Sequence, residues 1–219
     1  MKRSTNACIA IGAALLALPL YIPEALAFPY HRTVNGATVW SEAPIPSPAI
    51  ARVLARADAL VRASPLDRVP TGRRVFLTQG GWRWRWLSLT ASGAFGLTRP
   101  FSEAVVVNRS DAAADRVANG AGVGGTRSLS GVIAHERTHG LVRARYGVVA
   151  AATMPMWLAE GYPDYVARES SLSDAQAATL RRAGLNPPAL AYHDARRRVA
   201  STLASNGGSV ERLFAEAGR

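Results

Sequence analysis

The chain has 219 residues, 48% of them hydrophobic and 19% charged, and a formal net charge of +11. That length suits one domain with a real core, is short for two once a targeting segment is set aside, and the composition excludes a disordered chain. Lys2 is the only lysine, the arginines are spread along the whole chain, and no base-reading motif or interleaved aromatic platform accompanies them. No specific nucleic-acid partner is therefore expected, and the basic balance leaves only loose attraction to anionic membrane surfaces.

Lys2 and Arg3, the apolar run Ala7 to Leu20 and the small-x-small site Ala25-Leu26-Ala27 together describe a secretory signal peptide over residues 1–27. The expectation is export, to the periplasm or beyond, of a single domain over residues 28–219. Pro19, Pro23 and Glu24 interrupt the run, which falls short of the roughly 20 residues of a spanning helix; the alternative is an uncleaved anchor that leaves the domain facing the periplasm. Cys8 is the only cysteine and lacks a lipoprotein-type Leu-x-x-Cys setting, so the exported part has no thiol and relies on core packing and on any metal it binds.

Asn35-Gly36 supplies the backbone angles of a two-residue turn, which predicts a β-hairpin over residues 30–41. After Pro44, Pro46 and Pro48, an amphipathic helix starts at Ser47-Pro48, with Ile50, Val53, Leu54, Ala57, Leu60 and Val61 at three- and four-residue steps until Pro65. Arg74 to Thr78 and Ala104 to Asn108 read as strands. Trp82-Arg83-Trp84-Arg85-Trp86 fits either a strand or a helical turn, with tryptophans covering the core edge and arginines stacked on them.

Beyond Gly120 to Gly125 the pattern is helical. One helix is expected from Leu129 to Tyr146, ended by Gly147, and a second from Pro155 carrying Trp157, Leu158, Tyr162 and Tyr165. A third, with the capping box Ser173/Gln176, ends at Gly184. After the loop Asn186-Pro187-Pro188, two more run from Tyr192 to Ser205 and from Ser209 to Ala217. The fold class is thus α+β: a small N-terminal sheet with an amphipathic helix, then a mostly helical C-terminal half.

The chemistry sits in Val132-Ile133-Ala134-His135-Glu136-Arg137-Thr138-His139, a His-Glu-x-x-His in an apolar helix. Four residues turn a helix by about 400°, so the two imidazoles lie only about 40° and about 6 Å apart and can share one ion. Chance placement would give the pattern in about 0.3% of chains of this make-up, so context decides. Apolar neighbours bury these polar groups, and a bound metal removes the cost of leaving them unpaired. Glu136 follows the first imidazole and falls beside the metal's water. Twenty residues separate His139 from Glu160, enough for a turn and a second helix that presents Glu160 as third ligand of a single zinc ion. Asp164, four residues on, is placed to accept a hydrogen bond from the free nitrogen of His135 or His139.

His135-Glu136-Arg137-Thr138-His139 followed by Trp157-Leu158-Ala159-Glu160-Gly161 and Tyr165 resembles the gluzincin metallopeptidases, and is similar to a branch of small exported bacterial gluzincin-like proteins. The likeness covers about 40 residues, Ser128 to Val166. It implies a zinc ion, Glu136 as general base, peptide or protein substrates, and an oxyanion donor among Tyr165, Tyr192 and His193, with Tyr192 and His193 favoured because they begin a downstream helix. Pro163 departs from the pattern, since proline inside a helix costs about 3 kcal/mol unless the helix kinks or restarts. The strand motif that binds a free amino terminus in aminopeptidase relatives is absent.

Ala104 to Asn108 is expected to be the sheet edge that pairs with an extended substrate. A monomer is expected. The rival reading is a non-catalytic exported domain stapled by zinc, or a basic envelope-binding module. Structural zinc sites are usually closed by four ligands and rich in cysteine, whereas three ligands and no thiol leave a place open for water.

Overall fold

The computed structural model describes residues 16–66 and 73–217 together with Gly12. Residues 1–11 and 13–15 of the predicted signal segment therefore lie outside the described residues, whereas 16–27 are described. Among those described, no helix is long and apolar enough to cross a membrane.

Strands β1 (Tyr30–Val34) and β2 (Ala37–Ser41) form the expected hairpin, with Asn35 and Gly36 at φ 51° and 72°. Helix α1 (Ser47–Arg62) turns its apolar face to the core, and β3 (Arg74–Leu77) then adds parallel to β2. The tryptophan-arginine segment is a short helix, α2 (Trp82–Ser88): Trp84 is buried, Trp82 and Trp86 are exposed, and the Arg83 guanidinium lies 4.5 Å from the Trp82 ring.

Strand β4 (Gly96–Thr98) pairs antiparallel with β5 (Val105–Val107), and β5 pairs parallel with β3, giving the order β1-β2-β3-β5-β4. This corrects the expectation for residues 104–108. All three valines of β5 are buried, as in a strand covered on both faces, and the edge is β4. A three-stranded sheet of β6 (Arg109–Asp111), β7 (Arg116–Ala118) and β8 (Thr126–Ser128) leads into the helical half.

Helix α3 (Leu129–Tyr146) runs through the centre of the molecule, packed on α1, and most of its residues are buried. Ser128 caps it by accepting from the Gly131 amide at 3.0 Å, and the Asp115 carboxylate takes the Ser130 amide at 2.7 Å, an anion at the positive end of the helix dipole. Gly147, at φ 89°, ends it.

A short helix α4 (Val148–Thr153) forms most of the connection expected to be a simple turn. The second motif then divides into α5 (Met156–Ala159) and α6 (Gly161–Ala167), broken at Glu160. Pro163 falls in the first turn of the restarted helix, where its missing N–H costs nothing. Helix α7 (Asp174–Arg182) shows the capping box. Helix α8 (Pro188–Ser205) begins four residues earlier than expected, because Pro188 sits at its first position with φ already set for a helix. Helix α9 (Val210–Ala217) follows. The α+β reading, a mixed N-terminal sheet with a helix before a mostly helical half, is the observed architecture.

Candidate metal centre

Three elements meet at the motif. From α3, His135 and His139 bring their Nε2 atoms to 3.1 Å of each other. From the break between α5 and α6, Glu160 sets Oε2 3.4 Å from His135 Nε2 and Oε1 3.9 Å from His139 Nε2. With one ligand atom from each residue, the set lies within 4.8 Å. Two atoms held about 2.05 Å from a tetrahedral zinc stand about 3.3 Å apart, so these spacings are close to what one ion requires. His135, His139 and Glu160 thus form a cluster geometrically compatible with a single zinc ion.

Glu160 reaches this place through its neighbour. A Cβ on Gly161 would stand 2.5 Å from the Ala195 carbonyl oxygen, so only glycine lets α6 approach the α8 backbone this closely.

Below the imidazoles, Asp164 Oδ1 accepts from His135 Nδ1 at 2.7 Å, which leaves the Nε2 lone pair pointing at the junction. Asp164 is fully buried and also meets the guanidinium of Arg127, itself almost fully buried, at 2.8 Å; Arg127 and Ser128 both reach the Glu169 carboxylate. Burial opposes the charge on Asp164, but Arg127 and then His135 outweigh it and hold its pKa below the usual carboxylate value. Arg127 and Glu169 stand outside every sequence motif; no local signal marked them.

Burial presses the His135 imidazole down, yet the Asp164 carboxylate more than offsets this and sets its pKa at about 10. For His139, burial and the His135 charge act together and bring the value down to about 4. Glu160 is lowered overall: burial opposes ionisation, and the hydrogen bond from His135 and the charges of both imidazoles prevail. Three carboxylates thus surround a junction that demands positive charge. A proton on His135 answers it partly; a divalent ion on two neutral imidazoles answers it with the donor set present.

Glu136 is buried beside the junction without being one of the three converging groups. Burial raises its pKa, the His135 charge works against that, and Thr98 of the edge strand donates its hydroxyl to Oε2 at 3.0 Å. Strand β4 runs so close that a Cβ on Gly96 would stand 3.1 Å from Glu136 Cγ. Thr98 was not anticipated either, since a three-residue strand carries no periodic pattern.

The junction opens into a cleft of about 710 Å³ lined by β4 with Phe95, by Arg127 and Arg143, and by Tyr192. Burial and the charges of Glu160, Asp164 and Glu136 raise the Tyr192 pKa, which keeps its hydroxyl a donor. The expectation that His193 joins it is corrected. His193 faces away on α8, with Nε2 2.8 Å from Asp174 and Nδ1 3.2 Å from Asp194, because successive helical residues point about 100° apart. Tyr165 is 40% exposed and is not among the residues that line the cleft.

Comparisons with protein-family models, curated proteins and solved structures find no match to this chain. The site defines the class on its own terms: an α+β protein with a His-Glu-x-x-His metal-binding cluster completed by a glutamate from a following helix.

Proposed function

We propose that the protein is an exported zinc-dependent hydrolase, a metallopeptidase acting on peptide or protein substrates in the cleft under β4. The observation that supports this most is the position of Glu136: a buried carboxylate beside the three converging ligand groups, held by Thr98 at one oxygen and open to the cleft. A zinc staple has no use for that group, and among the described residues only His135, His139 and Glu160 form the metal-holding cluster, without the fourth protein ligand that closes structural sites.

His135, His139 and Glu160 would hold the ion, with Asp164 fixing the His135 tautomer and Arg127 fixing Asp164. A zinc ion held there would supply the Lewis acidity that activates water and polarises a carbonyl. Glu136 takes the proton from the attacking water at Oε1, while Thr98 keeps Oε2 in place, and then delivers that proton to the leaving amine. Tyr192, on the cleft wall, donates its hydroxyl to the oxygen that becomes negative as the carbonyl is attacked. The outer edge of β4, which lines the cleft, pairs with an extended substrate backbone.

The test is zinc content and peptide hydrolysis measured on Glu136→Ala and His139→Ala. Glu136→Ala is expected to keep one zinc per chain and lose hydrolysis by at least about 100-fold, and His139→Ala to lose both. Hydrolysis that survives in Glu136→Ala, or equal behaviour of the two variants, would refute the mechanism.

A further inference from the structure

The segment between the apolar run and the first strand is built into the folded domain. Two 3₁₀ turns, Leu18–Leu20 and Pro23–Leu26, bury Pro19 and Pro23. Glu24 pairs with Arg74 at 3.0 Å. Arg83 donates to the carbonyls of Leu26 at 2.8 Å and Ala27 at 3.0 Å, while another of its nitrogens pairs with Glu42 at 3.0 Å. Leu26 packs on a second apolar cluster containing Phe28, Phe76 and Trp84. Removing the chain up to Ala27 would take Glu24 from Arg74, the Leu26 and Ala27 carbonyls from Arg83 and the Leu26 side chain from the apolar cluster, leaving Arg83 only Glu42 of these polar partners.

The outer side of this segment is apolar. Leu16, Leu18, Tyr21 and Ile22 are exposed, and so are Trp82, Trp86 and Leu89 on and after α2. Leu16, Leu20, Trp82, Arg85, Trp86 and Leu89 line one open depression of about 410 Å³. Isolated exposed apolar residues are ordinary, but a contiguous patch joining two elements marks a surface that meets something.

We propose that residues 16–27 stay with the domain and that this face seats in the interface of an anionic bilayer. Three observations select that occupant. In sequence the uncharged run Ala7 to Leu20 leads into the patch, and its 14 residues are fewer than the roughly 20 that spanning takes. Tryptophan and tyrosine, the side chains that favour the headgroup level, make up the exposed part of the patch together with leucine and isoleucine. Arg85 lies within the face, Lys2 and Arg3 precede the run, and the chain carries +11, so anionic headgroups complement it. Apolar insertion plus basic charge is the two-signal combination that stable membrane attachment needs. This attachment does not depend on the chemistry at His135.

The experiment uses the full chain and the variant Trp82→Ser/Trp86→Ser with vesicles of phosphatidylcholine alone or mixed with phosphatidylglycerol. Both tryptophans are exposed, so the variant should keep the far-ultraviolet circular dichroism of the parent. The full chain is expected to partition onto the mixed vesicles at least about tenfold more strongly than onto phosphatidylcholine alone, and the double variant to lose about tenfold of that partitioning. Protein recovered from producing cells should retain residues 16–27 at its N-terminus. Equal partitioning of parent and variant, a patch shown by gel filtration to be buried between two copies, or a recovered chain that begins at Phe28 would each overturn the proposal.

Discussion

Adding one methyl group at Gly161 should disturb the metal centre from outside it. In Gly161→Ala the new Cβ would meet the Ala195 oxygen at 2.5 Å and its carbonyl carbon at 2.6 Å, both backbone atoms of α8 that have no rotamer to turn aside. Reaching ordinary contact at 3.4 Å requires α6 and α8 to separate by about 0.9 Å. Overpacking of this kind costs about 1–3 kcal/mol, which lowers the melting temperature of a chain this size by about 2–12 °C. Glu160 is the residue before Gly161 and moves with it, whereas metal–ligand distances tolerate only about 0.2 Å. Zinc affinity should therefore fall by about 10- to 100-fold, the range seen when the support of a ligand is altered. Thermal melting of the metal-free chain and zinc competition against a chelator read the two effects separately. A variant that melts within a degree of the parent and binds zinc equally well would refute the close packing of α6 on α8.

The remaining tests address the groups around the ligands. Thr98→Val removes the hydroxyl that favours the Glu136 carboxylate, so a pKa already raised by burial rises further; the acid limb of the rate profile should then move to higher pH, and an unmoved limb would count against the contact. Arg127→Met leaves Asp164 buried without its guanidinium partner, which should cost about 3–5 kcal/mol in denaturant unfolding and weaken zinc binding about 10- to 100-fold by calorimetry. In the metal-free chain, His135 has its folded pKa raised from 6.5 to about 10, so its stabilisation is complete below pH 6.5 and is lost as pH rises towards 10. Asp164 is lowered from 3.8, so its contribution is present above that pH and lost as pH falls through its depressed value. His139 has its folded pKa lowered from 6.5 to about 4, so its contribution is lost as pH falls below 6.5. Melting temperatures in chelator should therefore peak near pH 6.5; a maximum near pH 9 would contradict the pairing of His135 with Asp164.

What could be read from the residues alone was what short-range geometry governs. The central helix, its glycine stop, the Ser173 capping box, the Asn35-Gly36 hairpin and the pairing of His135 with His139 all depend on spacings of a few residues, and each is present as expected. Glu160 was also legible, because twenty residues after His139 suffice for one turn back and the upstream imidazole pair leaves a third ligand place to fill. The orientation of His193 was not, since one position along α8 decides between the cleft and a contact with Asp174. The wrong choice of edge strand has a similar origin: a run of valines says that both faces are covered, but not which strand lies next to it.

The amino-acid sequence by itself determined which side chains can act as ligands and which helix carries them, because helical periodicity is a property of neighbouring residues. Only the tertiary structure decided what surrounds them. Thr98 reaches Glu136 across 38 residues of chain and Arg127 reaches Asp164 from a different sheet, in strands of three residues too short to show a pattern. Such contacts follow from how layers pack, and no local preference encodes them.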